Sequence, residues 1–204
     1  MGRAERGWAV AALALLLLLP ARGEDSPLAL VRTTITEVVA EMNANAARYE
    51  ADEAALEAMV KARVVPHFDL DRMTALALGR HLPEVTPAQR ARIRDGMVDL
   101  LVRTYARALF EYRNHPLQVV DERRRSERAA EVRLATVTDT GTPVSVILRM
   151  ENRGAGWKVI DLLIDGVSMV ITYRGTFDAE IAKNGVEGLI RRIESGALLG
   201  GREG

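Results

Sequence analysis

The sequence predicts an α+β domain, with helices first, an antiparallel sheet after them and helices again at the end. Two observations carry this. Up to residue 116 the apolar side chains recur at helical spacing between capping signals, whereas over 117–165 they fall into short alternating runs separated by turn formers. No internal repeat and no low-complexity linker divides the chain. Residues 24–204 are therefore expected to form one domain: 24–116 mainly helical, 117–165 antiparallel sheet, 166–195 helical and 196–204 a frayed tail.

Residues 1–23 read differently. Arg3 and Arg6 precede an unbroken apolar stretch over 8–19, followed by Pro20, Ala21, Arg22 and Gly23, which is the order of a secretory signal peptide cleaved after Gly23. The apolar stretch reaches only about 18 Å as a helix, against roughly 30 Å of bilayer hydrocarbon, which disfavours an uncleaved anchor. The chain has no cysteine, so export serves no disulfide framework and no acylated lipoprotein. Beyond residue 23 it keeps 25 basic and 27 acidic side chains, and nothing in that balance favours nucleic acid. With few aromatic residues the core must be mostly aliphatic.

Ser26 followed by Pro27 opens the first helix, with Leu28, Val31, Ile35, Val38 and Met42 on one face. A second begins near Asp52, carries Leu56, Met59, Val60 and Val64, and stops at Pro66. A third spans 70–78, ending at Gly79. Thr86-Pro87-Ala88-Gln89 is a capping box with proline in the first turn, and it opens a long helix. Ile93, Met97, Leu100, Leu101, Thr104, Tyr105, Ala108 and Tyr112 form its wide apolar stripe, with Asn114, His115 and Pro116 ending the run.

Strands are expected over 117–120, 129–138, 143–151 and 157–165, as a four-stranded meander. Val144, Val146, Leu148 and Met150 alternate with Ser145 and Arg149, so that strand has one wet and one buried face. In the last strand Val159 and Leu163 point one way, and Ile160, Leu162 and Ile164 the other. Arg123, Arg124 and Arg125 read as a charge run beside a turn, either a solvated loop or a docking patch. Helical pieces follow over 167–173, 176–183 and 185–193.

Chemistry has no visible seat. The three histidines, His67, His81 and His115, show no metal-ligand spacing, and no nucleophile elbow or phosphate loop is present; no catalytic residue, metal or cofactor is expected. His67 beside Asp69 offers an imidazole near a carboxylate, but a loop histidine bonded to nearby backbone is the commoner case. Asp161 and Asp165 stay open between an acidic pair at a pocket mouth and a purely structural pair. In the structural reading Asp165 begins the turn at Gly166 and Asp161 accepts hydrogen bonds from arginine or backbone.

Val65-Pro66-His67-Phe68-Asp69, Leu76-Ala77-Leu78-Gly79-Arg80 and Thr86-Pro87-Ala88-Gln89-Arg90 stand in the first half of the chain. Trp157-Lys158-Val159-Ile160-Asp161, Asp165-Gly166-Val167-Ser168-Met169-Val170, Tyr173-Arg174 and Phe177 stand in the second. In order and spacing, from residue 64 to 193, this set resembles the Mla (toluene-tolerance, Ttg2) family of periplasmic phospholipid-binding proteins. Residues 81–85 depart from the pattern, which expects an aromatic and a basic residue there.

The resemblance implies a curved, nuclear-transport-factor-like (NTF2-like) sheet with helices packed over it, enclosing a deep apolar pocket for acyl chains. It implies a periplasmic carrier without cofactor, a monomer, that shuttles phospholipid between an outer-membrane lipoprotein complex and an inner-membrane ATP-driven transporter. Related members beside hopanoid genes leave the lipid open. Facing arguments select the lining of such a pocket: Leu76, Met97, Leu101 and Tyr105 from helices, Val146, Leu148, Leu162 and Ile164 from strands, and Val167, Val170 and Tyr173 beyond the turn. Two readings of other classes compete. One is an isomerase or hydrolase using His67 with Asp161 or Asp165 in the cavity of such a sheet. The other is an interaction protein with a filled core.

Overall fold

The computed structural model describes residues 26–115, 117–137 and 141–198. The expected signal peptide and residues 199–204 of the expected tail lie outside them. Six helices, α1 (Pro27–Ala44), α2 (Ala46–Ala51), α3 (Glu53–Arg63), α4 (Leu70–Leu78), α5 (Pro87–Glu111) and α6 (Met169–Glu194), accompany five strands. The strands are β1 (Gln118–Ser126), β2 (Ala129–Val137), β3 (Pro143–Asn152), β4 (Trp157–Ile164) and β5 (Val167–Ser168), paired antiparallel in chain order. The α+β class and the meander are as expected, with one short strand more.

Local chemistry sets the helix starts. Ser26, Asp52, Asp69, Thr86 and Ser168 each accept a backbone N–H in the first turn of the helix they precede, and Thr86 with Gln89 closes the full capping box. A second carboxylate helps α1: Glu122 of β1 accepts from Ser26 Oγ at 2.9 Å and from Leu28 N at 3.1 Å. Burial pushes the Glu122 carboxyl up, but the bonds from Ser26, Leu28 and Arg124 outweigh it and hold the group below its ordinary value. The three expected pieces after residue 166 become β5 and one helix, interrupted where Gly185 takes φ 69°.

The arginine run is not a loop. β1 continues through Arg123, Arg124 and Arg125 because its residues pair with β2 across a hairpin. Arg124 lies over the Trp157 ring and pairs with Glu122 at 2.7 Å, while Arg125 reaches Glu131 at 2.7 Å. Charged side chains suit this strand, which forms an open edge of the sheet.

Three apolar clusters make the core. One joins α4, the first half of α5 and α6; a second joins α1, α2, α3 and the second half of α5; a third seats Val31 of α1 on Ala130, Val132, Leu134, Met150, Trp157 and Val159 of the sheet. Leu198 is buried in the first cluster, so the chain stays packed at least that far.

β4 departs from simple alternation. Asp161 faces Arg149 and Val159 faces Met150, so Ile160 is an extra residue, a β-bulge. Cross-strand partners share a face, and Val159 therefore joins Leu162 and Ile164, whose partners are Leu148 and Val146. The expected grouping of Val159 with Leu163 is corrected by that one residue.

Candidate functional site

An apolar cavity of about 270 Å³ opens between the helices and β4. α5 supplies one wall with Val98, Leu101, Val102, Tyr105, Ala106 and Leu109. Val60 and Val64 with the turn after α3 (Val65, Phe68), and Leu70 and Met73 of α4, supply a second. Leu162 and Ile164 of β4, with Met169 at the start of α6, close it. None of these residues is charged, and the Tyr105 hydroxyl is the only side-chain polar group among them.

Phe68 is held both by its own turn, where its N–H donates to Val65 O at 3.0 Å, and by the sheet. It forms a parallel bridge with Val159 on the open edge of β4, and Asp69 N donates to Val159 O at 2.9 Å. Lys158 Nζ reaches Pro66 O at 2.6 Å. The Val65–Asp69 segment is thereby clamped to β4, and the following Asp69 caps α4.

The opposite face of β4 holds the junction into α6. Asp161 is 5 % exposed and accepts from Ser168 Oγ at 2.7 Å, from Val170 N at 3.1 Å and from an Arg149 nitrogen at 3.3 Å. A carboxylate at a helix N-terminus is where the unpaired N–H groups and the helix dipole favour it. Arg123, Glu131, Arg149 and Asp161 are successive cross-strand partners, one per strand, so charges alternate across the outer face and end at α6. Asp165 and Gly166 form the two-residue turn between β4 and β5, with φ of 47° and 83°. Asp165 Oδ1 accepts from Ser145 N at 2.9 Å. The structural reading of both aspartates is the one observed.

Of the residues selected from sequence, Leu101, Tyr105, Leu162 and Ile164 meet at this cavity. The others lie elsewhere. Met97 and Tyr173 are buried in the α4–α5–α6 cluster. Val170 is buried with its N–H on Asp161, and Leu76 gives its carbonyl to Arg174 Nε at 2.9 Å. Val146 and Leu148 share the face of Ile164 and Leu162 but pack on the sheet cluster, while Val167 on β5 is 60 % exposed. Val60, Val64, Phe68, Met73, Val98 and Leu109 were not foreseen. Leu101, Tyr105 and Leu109 sit at i, i+4 and i+8, a spacing that could have pointed to Leu109.

A second hollow, of about 550 Å³, lies between α1 and α3 and carries charged groups: Thr34, Glu37, Glu41, Arg63 and His67 line it among Val38, Ala40, Ala44, Ala62 and Pro66. His67 Nε2 is 3.4 Å from Thr34 Oγ1. Burial pushes its imidazole below the ordinary value, and nearby Lys158 adds to this. His67, Asp161 and Asp165 are all absent from the wall of the apolar cavity, and no carboxylate of either aspartate is bonded to His67. Among the described residues no group of three or more histidines and carboxylates could hold a metal ion, and no helix is long and apolar enough to cross a membrane.

Fold and cavity together define a class, an α+β domain whose helices enclose an uncharged hollow over one face of an antiparallel meander. Residues 32–195 match the family described as MlaC protein, and the chain belongs to that family. It is similar to the toluene tolerance protein Ttg2D of Pseudomonas putida, 25 % identical over 79 % of this chain and 75 % of that one. It is also similar to the intermembrane phospholipid transport system binding protein MlaC of Haemophilus influenzae, 24 % identical over 90 % of this chain and 88 % of that one. Among solved structures, a phospholipid-binding protein from Ralstonia solanacearum in complex with a phospholipid superposes with a TM-score of 0.76. It is 32 % identical, covering 83 % of this chain and 95 % of that one.

Proposed function

We propose that the protein is a periplasmic phospholipid carrier that holds acyl chains in the apolar cavity and shuttles lipid, as a monomer, between an outer-membrane lipoprotein complex and an inner-membrane ATP-driven transporter. The observation that carries this is the wall of the cavity, aliphatic and aromatic throughout and without a charged group. Such a wall returns what a chain gives up on leaving a bilayer. A sixteen-carbon chain has about fourteen methylenes worth roughly 0.8 kcal/mol each, or about 11 kcal/mol in all. The phospholipid-bound Ralstonia structure and the transport-system relative support the same reading.

At about 270 Å³ the cavity is smaller than the usual ligand pocket of roughly 300–1,000 Å³, so the loaded form is wider. Its α3 wall and much of its α5 wall share one apolar cluster, whereas Met169 packs on the α4–α5–α6 cluster and Phe68 on the sheet cluster. Methionine and leucine at Met73, Met169 and Leu101 suit a wall that must re-form around different chains. Native mass spectrometry of protein purified without detergent from a bacterial periplasm, with lipid analysis of what dissociates, is expected to show stoichiometric phospholipid. Protein that is bare and takes up no added lipid overturns the reading.

A further inference from the structure

Eight large apolar side chains are exposed among the described residues, and six of them gather on two ridges beside the cavity. Tyr105, Leu109 and Tyr112 run along α5 and the turn that ends it. Ile164, Val167 and Ile171 cover the β4–β5 hairpin and the first turn of α6. Three of the six, Tyr105, Leu109 and Ile164, also line the cavity, so this is where it reaches the surface. Val167 faces Ile164 across the hairpin and is 60 % exposed, while Ile171 is 61 % exposed. Single exposed aliphatics are ordinary, but a cluster continuous with a ligand cavity marks a contact surface.

Asp165 decides what kind of contact. It stands at the hairpin tip between Ile164 and Val167, exposed, its Oδ1 held by Ser145 N–H, and no cation of the described residues pairs with it. A bilayer pressed onto this tip has to strip water from a carboxylate beside anionic headgroups, which is unfavourable on both counts. A protein surface can meet it with a lysine or arginine while covering the ridges. We propose that this rim is a docking surface for a protein, one that presents its own apolar opening to the two ridges and a basic side chain to Asp165. The inference rests on the carrier reading and adds the face by which the carrier is met.

The test uses the mature chain loaded with pyrene-labelled phosphatidylglycerol and two acceptors. One is liposomes of phosphatidylethanolamine and phosphatidylglycerol; the other is the same liposomes carrying the inner-membrane transporter from the protein's own source. Ile171→Glu puts a charge on a ridge without touching the cavity wall. Asp165→Asn removes the charge but keeps an acceptor for Ser145 and a residue that tolerates positive φ. Both variants are expected to load lipid normally and to transfer it to protein-free liposomes at the wild-type rate. Transfer to the transporter-bearing vesicles is expected to fall about tenfold for Ile171→Glu and roughly threefold for Asp165→Asn. Equal losses on both acceptors overturn the inference in favour of a bilayer contact. A wild-type rate that the transporter does not raise, or that Ile171→Glu does not lower, also overturns it. Failure of the wild-type chain to load lipid is seen before any acceptor is added and overturns the carrier reading itself.

Discussion

α3 and the turn after it separate two hollows that differ in size and in the charge of their walls. On one side Val60, Val64, Val65 and Phe68 face the apolar cavity; on the other Ala62, Arg63, Pro66 and His67 face the groove under α1. The groove has about twice the volume, about 550 against about 270 Å³. Its walls carry two glutamates, an arginine and a histidine, and hydrated charges hold water that an acyl chain cannot displace at a gain. The smaller hollow has none. Chemistry, and not room, distinguishes a place for a lipid.

The comparison breaks most sharply if charge is moved across the partition. Leu101→Arg buries a guanidinium in the cavity, and lipid retention is expected to fall about a hundredfold or more, the equivalent of roughly 3 kcal/mol. Lipid content by mass spectrometry, with circular dichroism to confirm folding, reads this out. Unchanged lipid content in a folded variant places the lipid elsewhere. Asp161→Ala is the next largest change, since it leaves the Ser168 hydroxyl and the Val170 N–H without their acceptor at the start of α6. We expect a loss of about 2–3 kcal/mol in urea unfolding. Little of it comes from Arg149, which is exposed enough for its ion pair to be screened.

The histidines sharpen the contrast by titrating in opposite senses. His81 bonds to Asp178 at 2.7 Å and to Glu84 at 3.1 Å, and these carboxylates raise its pKa. Its contribution is fully present below about pH 6.5 and fades as pH rises through the folded value. Burial lowers the pKa of His67, so its effect runs the other way: stability falls as pH drops below about 6.5 towards the folded value. Melting temperature followed across this range should lose its alkaline slope in His81→Gln and its acidic slope in His67→Gln. Smallest of all is Glu37→Gln in the groove, expected to change stability by less than about 0.5 kcal/mol and lipid content not at all. A loss of lipid in that variant would join the two hollows that α3 keeps apart.

What was legible in the sequence was local. The capping box at Thr86 and the Asp165-Gly166 turn are decided by neighbours in the chain, and both stand as read. β1 was cut short because Arg123 to Arg125 look like a loop until the hairpin sets Glu131 beside them and Trp157, far along the chain, is brought under Arg124. Met97 and Leu101 differ by about 40° around an ideal helix, at 3.6 residues per turn. One enters the α4–α5–α6 cluster and the other the cavity, a distinction that periodicity within one broad stripe does not resolve. Ile160 was invisible as a bulge because its apolar neighbours satisfy alternation in either phase.

That bulge lets a single strand be read in two frames. Before Ile160 the odd-numbered positions, Trp157 and Val159, close the sheet core; after it the even-numbered ones, Leu162 and Ile164, wall the cavity, and Asp161 is freed to hold α6 from the far side. Deleting the one residue would leave Val159 opposite Met150 and Asp161 opposite Arg149 as ordinary neighbours, so the strand would alternate without a break and each remaining side chain would keep its face; what would go is the local bend and twist that a bulge adds. A deletion scan of β4 is expected to find Ile160 its most tolerant position, since it alone is skipped by the pairing with β3.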